Sequence, residues 1–231
     1  SRTEIYFLYD NDAIYIAGFC HEVSQDSISK ELVGRDVVGV NDFVGVMFDT
    51  YNDQINGFGY YVTPLGEQFD AKYSSTNGED GSWNSVFESV AKIVPGGWTF
   101  EMKIPYGAIR FGNKKIQDWG LNITRRRSKS GKQFMWNPVD PTVGGTFFAQ
   151  FGKWTNIENI KPPLRLQFSP YFSVYANHYP YNLAGVKNWT SAVNGGMDVK
   201  YGITPAFTLD MTLIPDFGQV QSDNKVLNLT P

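Results

Sequence analysis

The stretch from Trp98 to Ile104 restricts what this chain can fold into more than any other part of it. Trp98, Phe100, Met102 and Ile104 alternate with Thr99, Glu101 and Lys103. That period of two puts the apolar side chains on one face of a strand and the polar ones on the other, whereas a helix would scatter both sets around its circumference. Pro95-Gly96-Gly97 opens the segment and Pro105 ends it, and neither residue type sits well inside a β-ladder. No sustained helical period occurs before residue 160. The 23 glycines and 12 prolines are spread along the chain and aromatic residues make up 16% of it, a composition that suits many short strands joined by frequent turns. The fold class is therefore all-β.

Further strands follow from the same reasoning. Residues 4–9 and 13–20 are β-branched and aromatic, with Asp10-Asn11-Asp12 between them as a turn. Few polar positions break either face of this hairpin, so it is expected to be central and covered on both sides. Residues 21–40 are polar and Gly-punctuated and read as loop with one helical turn at most. Residues 42–49 form a strand. Asn56-Gly57 is a hairpin-type turn signal, and residues 58–63 run back to Leu65-Gly66. Residues 119–127 and 132–136 make another hairpin around Ser128–Gly131.

The texture changes at Lys161-Pro162-Pro163, which suggests domains at 1–160 and 161–231. Beyond it, Leu164, Leu166 and Phe168 alternate with Arg165, Gln167 and Ser169. Val193, Gly195, Met197, Val199 and Tyr201 do so against a polar second face, as do Phe207, Leu209, Met211 and Leu213. Segments of about 9–11 residues with aromatic ends fit membrane-spanning β-strands; a soluble sheet with one wet face gives the same pattern. The sequence runs from Ser1, within an apparent strand, to Pro231 without a closing element. It reads as a portion of a longer protein, so the lack of a signal peptide at its start is uninformative.

Most chemistry is excluded. A net charge of −3 argues against a nucleic-acid partner, which calls for a basic excess. The lone Cys20 rules out an internal disulfide framework and a Cys-rich zinc site. Cys20 and His21 are adjacent, so on a strand they point to opposite faces and do not form a dyad; His178, the other histidine, is far away in sequence. Glu67, Asp70, Glu88 and Glu101 are too scattered to mark a glycosidase pair. Asp49, Asn52 and Asp53 lie in an oxygen-rich segment, 49–57, that suits either a calcium ion or an Asx-rich turn. Trp98 belongs to a core. Trp83, after a loop-like run, and Trp136, before Asn137-Pro138, are the candidates for a sugar-stacking platform or for the edge of a core. Arg125-Arg126-Arg127 alternate across a strand end, which disfavours a one-sided polyanion patch, and Arg125 is a candidate for hydrogen bonding to sugar hydroxyls or carboxylates.

Three passages carry a resemblance. Leu8-Tyr9-Asp10 with Ala13-Ile14-Tyr15-Ile16-Ala17 is one, and Asp42-Phe43-Val44-Gly45-Val46-Met47-Phe48-Asp49 is another. The most specific is Gly97-Trp98-Thr99-Phe100-Glu101-Met102-Lys103-Ile104-Pro105, followed by Ile109-Arg110-Phe111 and Trp119-Gly120-Leu121-Asn122. Together, over residues 1 to about 158, they resemble the β-sandwich of carbohydrate-binding module family 9, with that sandwich's usual first strands falling before Ser1. The runs Gly196–Thr204 and Leu209–Val220, with its Pro215-Asp216-Phe217-Gly218-Gln219-Val220, and then Asn228-Leu229 resemble the opening strands of an uncharacterised outer-membrane β-barrel family. In that family a module of the first kind precedes the barrel, which here would be truncated.

The resemblance implies a non-catalytic module that binds a glycan, tied to glycan breakdown or uptake. It would be joined to the membrane through the barrel, in the outer membrane, with the sandwich periplasmic or at the cell surface. The sugar-binding members clamp a glycan end between two tryptophans. The alternative is a plug, lid or docking domain of a transporter that binds no sugar.

Overall fold

A computed structural model describes residues 2–164, 166–178, 188–203 and 207–214. The chain divides into two units, 1–163 and 164–231. The first unit carries β1 (Thr3–Tyr9), β2 (Ala13–His21), β3 (Phe43–Asp49), β4 (Asn56–Val62), β5 (Gln68–Ser74), β6 (Gly78–Asp80), β7 (Glu88–Val94), β8 (Gly97–Pro105), β9 (Ile116–Arg127), β10 (Lys132–Met135) and β11 (Gly152–Glu158). The second carries β12 (Leu166–His178), β13 (Trp189–Gly202) and β14 (Thr208–Leu213). Three short 3-10 turns are the only helical elements among the described residues.

In the first unit, a four-stranded antiparallel sheet of order β1-β2-β8-β7 faces a larger sheet of order β10-β9-β3-β4-β5-β6, with β11 also paired to β9. The alternation of β8 sets the packing. Trp98, Phe100, Met102 and Ile104 are all buried against Ile14, Ile16 and Cys20 of β2 and against Val44, Val46, Phe48, Tyr60 and Trp119 of the other sheet. Removing each such side chain from water contributes roughly 1.5–3 kcal/mol. All of β3 is buried because both of its faces are covered. Val44, Val46 and Phe48 point into the core, while Phe43 and Met47 point outward into a second cluster with Tyr61, Phe148 and Phe151.

The β1–β2 hairpin corrects the sequence expectation. Asp10 makes its turn, with Oδ1 accepting from the amides of Asp12 at 2.8 Å and Ala13 at 2.9 Å. However, β1 is an edge strand, and the outer face of its sheet is open: Tyr6 is 63% and Leu8 71% exposed. The hairpin is apolar on both faces, but only the face carrying Ile5 and Phe7 packs on the core.

The second unit is a three-stranded antiparallel sheet of order β12-β13-β14. Its register sorts the side chains cleanly. Leu166 is opposite Tyr201, Phe168 opposite Val199, Pro170 opposite Met197 and Val174 opposite Val193; Met211 and Leu213 continue two of these rows. On the other face Gln167 is opposite Lys200 and Ser169 opposite Asp198, and Lys200 Nζ reaches Asp210 at 3.5 Å. The apolar face is exposed at Phe168, Phe172, Val174 and Val193. Arg165 and the distinctive 215–220 run, with Asn228-Leu229, lie outside the described residues.

Candidate functional site

The outer face of the four-stranded sheet holds a depression of about 610 Å³. Strand register builds it row by row. One row runs Leu8, Tyr15, Lys103, Glu88, and the next runs Tyr6, Ala17, Glu101, Val90. Ala17 lies between larger neighbours in its row, so the surface dips there. Tyr15 donates from its hydroxyl to Asp10 Oδ2 at 3.0 Å, which also pushes the phenol's pKa up. Lys103 Nζ donates to Glu88 Oε1 at 3.0 Å, and that bond holds the ammonium above its ordinary range. The Glu101 carboxylate stands exposed and makes no hydrogen bond or ion pair among the described residues.

This arrangement has the two components that recognition of a polar ring requires. Tyr6 offers an exposed flat ring, and the C–H face of a sugar loses little by covering such a surface. Around it stand a carboxylate without an internal partner and a lysine–glutamate pair, which can accept from and donate to hydroxyls. The trough also brings together two of the carboxylates considered for hydrolysis. Glu88 and Glu101 are diagonal neighbours across β7 and β8, a spacing of about 7–8 Å. They rise side by side from one sheet face, with Glu88 bound to Lys103. That spacing falls within the roughly 6.5–9.5 Å of an inverting carboxylate pair, but such a pair lies on opposite sides of the scissile bond, whereas these two share one sheet face and one of them is bound to a lysine.

The two candidate tryptophans do not share a cleft. Trp83 is half-buried and packs on the core, its ring 5.2 Å from Phe58 and 6.1 Å from Tyr60. Trp136 is 58% exposed and lies across Gly152, where a Cβ would come within 2.3 Å of its Cζ3. Gly152, Leu121, Phe48 and Phe58 form one row across β11, β9, β3 and β4. The two indoles therefore pack on positions three strand spacings apart, about 14 Å. Neither lines the trough.

Arg125 is likewise not a ligand-facing residue. It is 4% exposed. Its Nη1 donates to the Arg2 carbonyl and Thr3 Oγ1, and its Nη2 to the His21 carbonyl and Glu22 Oε1. Arg127, on the same side of β9, donates to both Glu22 oxygens. Two of the three arginines thus converge, but on an internal carboxylate that ties the two sheets together.

Asp49, Asn52 and Asp53 form a turn held by their own backbone. Buried Asp49 accepts from the amides of Asp53 at 3.2 Å and Gln54 at 2.9 Å. Burial pushes its pKa up. Asp53 Oδ1 accepts from the amides of Ile55 and Asn56, and Asn52 Oδ1 accepts from the Lys153 ammonium. Among the described residues no three His, Cys, Asp or Glu side chains are grouped so as to hold a metal. Cys20 and His21 point to opposite faces: Cys20 is in the core, where burial pushes its thiol up to about 12, and His21 bonds Glu4 outside at 3.1 Å.

Sequence reasoning missed Tyr6, Leu8 and Tyr15 because it took a doubly apolar hairpin for a covered one. One signal was available. Glu101 and Lys103 share the polar face of β8, and whatever pairs with that strand lies beside an open surface.

Comparison with known proteins bears on both units. Residues 162–231 match the family described as Domain of unknown function (DUF5916). No curated protein matches the chain. Among solved structures, the chain is similar to a protein of Bacteroides uniformis ATCC 8492 proposed to bind carbohydrate, with 11% identity and a TM-score of 0.55 over 69% of this chain and 78% of that one. This places the first unit among β-sandwiches of that architecture. A family 9 carbohydrate-binding module from Caldicellulosiruptor kristjanssonii, solved with cellotriose, is 16% identical over 71% of this chain and 77% of that one, with a TM-score of 0.42. The same module with glucose gives 15% identity, 70% and 77% coverage and a TM-score of 0.42.

Proposed function

We propose that the first unit is a non-catalytic carbohydrate-binding module and that the trough on the β1-β2-β8-β7 sheet is where the glycan lies. The observation that carries this reading is the exposed Tyr6 ring beside Glu101 and the Lys103–Glu88 pair in a depression of about 610 Å³. A volume in this range suits a ligand of a few sugar rings. The carbohydrate-binding role proposed for the Bacteroides uniformis neighbour supports it.

We further propose that the second unit contributes strands to an outer-membrane β-barrel, with the sandwich in the periplasm or at the cell surface. Its apolar face runs from Trp189, stacked on His178 with centroids 4.5 Å apart, to Tyr201. Twelve residue steps separate them. At about 3.3 Å per step and a tilt of about 45°, these span about 28 Å, close to the hydrocarbon thickness of a bilayer. Aromatic residues at both ends and a polar opposite face complete the pattern of a barrel wall.

Docking to another surface is a second reading of the trough, favoured by Leu8 and Val90, which are 71% and 69% exposed. A glycan array probed with the whole chain decides between them. The carbohydrate reading expects saturable binding to at least one glycan class that is weakened in Tyr6→Ala; no binding to any glycan by a folded chain rejects it.

A further inference from the structure

The outer face of the larger sheet carries a separate cleft of about 290 Å³. Five of its wall residues are aromatic: Phe43, Tyr61, Phe69, Tyr73 and Phe147. Its floor is built by missing side chains. A Cβ at Gly45 would lie 2.0 Å from Tyr61 Cδ1, and one at Gly59 would lie 2.7 Å from Tyr61 Cε2 and 2.8 Å from Tyr73 Cε2. The Tyr61 ring therefore lies down over two glycines of adjacent strands. Phe43 meets it edge-on at 5.5 Å and 90°, and Phe69 stands at 5.3 Å and 48°.

The polar groups of the cleft have a definite polarity. Tyr73 donates its hydroxyl proton to Glu79 Oε2 at 2.8 Å. The 2.6 Å contact between the two phenols must then run from the Tyr61 hydroxyl to the Tyr73 oxygen. Burial raises both phenols' pKa values, so this chain of donors stays protonated and ends on a carboxylate. Among the described residues, Glu79 is the only charged one lining the cleft. Arg126 shares this face of β9, opposite Phe43 and Gln133 in register, but does not line the cleft. Gln133 Nε2 donates to Thr124 Oγ1 at 2.9 Å. Met47 and Met135 are also in the lining, and the Met135 sulfur accepts from Asn122 Nδ2 at 4.0 Å.

Aromatic faces carry negative charge density and attract a desolvated cation held within about 6 Å of the ring centre. Thioethers are polarisable and favour the same guest. A carboxylate at the rim adds a fixed negative charge and no base opposes it within the lining. We propose that this cleft binds a small organic cation, an alkylated or quaternary ammonium group, independently of any glycan on the other sheet.

The test titrates choline and its neutral isostere 3,3-dimethylbutan-1-ol into the whole chain, following the ε-methyl resonances of Met47 and Met135. The expected result is a saturable shift with choline at least tenfold tighter than the alcohol, weakened at least threefold in Glu79→Gln. Tyr6→Ala, on the other sheet, should leave choline binding unchanged. Glu79 is exposed, so its variant keeps the wild-type thermal midpoint. No shift, equal affinity for the two probes, or unchanged choline affinity in Glu79→Gln overturns the proposal. Choline binding in a chain that binds no glycan would leave it standing while the carbohydrate reading falls.

Discussion

Arg125 Nη2 stands 2.5 Å from Glu22 Oε1, with both side chains withdrawn from water. The bond joins β9 of one sheet to the segment that leaves β2 of the other. Because a lone buried charge is costly, Arg125→Met is expected to destabilise the chain by about 3–5 kcal/mol. Urea unfolding checks this, and a loss below about 1 kcal/mol would show that the pair is dispensable.

The pH dependence of the same site follows from its carboxylate. Burial raises the Glu22 pKa, but hydrogen bonds from Arg127 and Ser27 and the Arg125 charge outweigh it, and the net shift is below the ordinary value of 4.5. A lowered carboxyl contributes stability above its unfolded pKa and loses it as pH falls through its folded one. The stability difference between wild type and Glu22→Gln should therefore be full near neutrality and shrink below about pH 4.5. Asp42, Asp49 and Asp70 have the opposite sign, since burial raises them; their charged forms cost stability as pH rises above 3.8. Unfolding of the variant pair across pH isolates the Glu22 contribution.

The tryptophans should separate by stability. Trp83 packs on Phe58 and Tyr60, so Trp83→Ala is expected to cost about 2–4 kcal/mol. Trp136 is largely exposed, and Trp136→Ala should cost less than about 1 kcal/mol. Neither is expected to alter glycan affinity, and calorimetry on both variants would expose a two-tryptophan clamp if one operates.

Opposite faces of β13 should respond differently to charge. Val193 lies on the apolar face and Asn194 on the polar one. Arginine on the lipid face near mid-bilayer costs about 2–4 kcal/mol. Val193→Arg is thus expected to reduce insertion into outer-membrane vesicles, with Asn194→Arg inserting normally; equal insertion of the two would contradict a lipid-facing Val193, and no insertion of the unaltered chain would contradict the barrel reading.

The Asp49 turn should be indifferent to calcium. Its carboxylate oxygens already accept two backbone amides. Asp49→Ala is expected to destabilise by about 2 kcal/mol through those lost bonds. Adding EGTA should leave the thermal midpoint of wild type unchanged, and a drop would place a cation at this turn.

What could be read in the residues was mainly periodic. Trp98–Ile104 specified its strand and its buried face, because strict alternation over seven residues is the mark of a half-buried strand; its neighbours β2 and β7 emerge only from the pairing. The β12–β14 register likewise follows the alternation of Phe168, Val199 and Met211. Coverage was harder to read. Ile5 and Tyr6 look alike in sequence, yet the former packs on the core and the latter is 63% exposed, because nothing among the described residues covers the outer face of their sheet and the residues themselves do not record that. Arg125 was misplaced for a related reason: its four acceptors come from residues 2, 3, 21 and 22, and a long-range convergence leaves no local pattern. The aromatic cleft was invisible for the same reason, since Tyr61, Tyr73 and Glu79 meet only once β4, β5 and β6 are paired.

The central claim is that the Tyr6 trough binds glycan, and the most direct measurement is calorimetry of the whole chain with an oligosaccharide selected on the array, repeated with Tyr6→Ala and Glu101→Gln. Loss of one stacking ring is expected to cost about 1–2 kcal/mol, a 5- to 30-fold weakening, with the unfolding midpoint unchanged and Glu101→Gln weakened as well. Unaltered affinity in both variants, or no heat from any glycan with the fold intact, would contradict it.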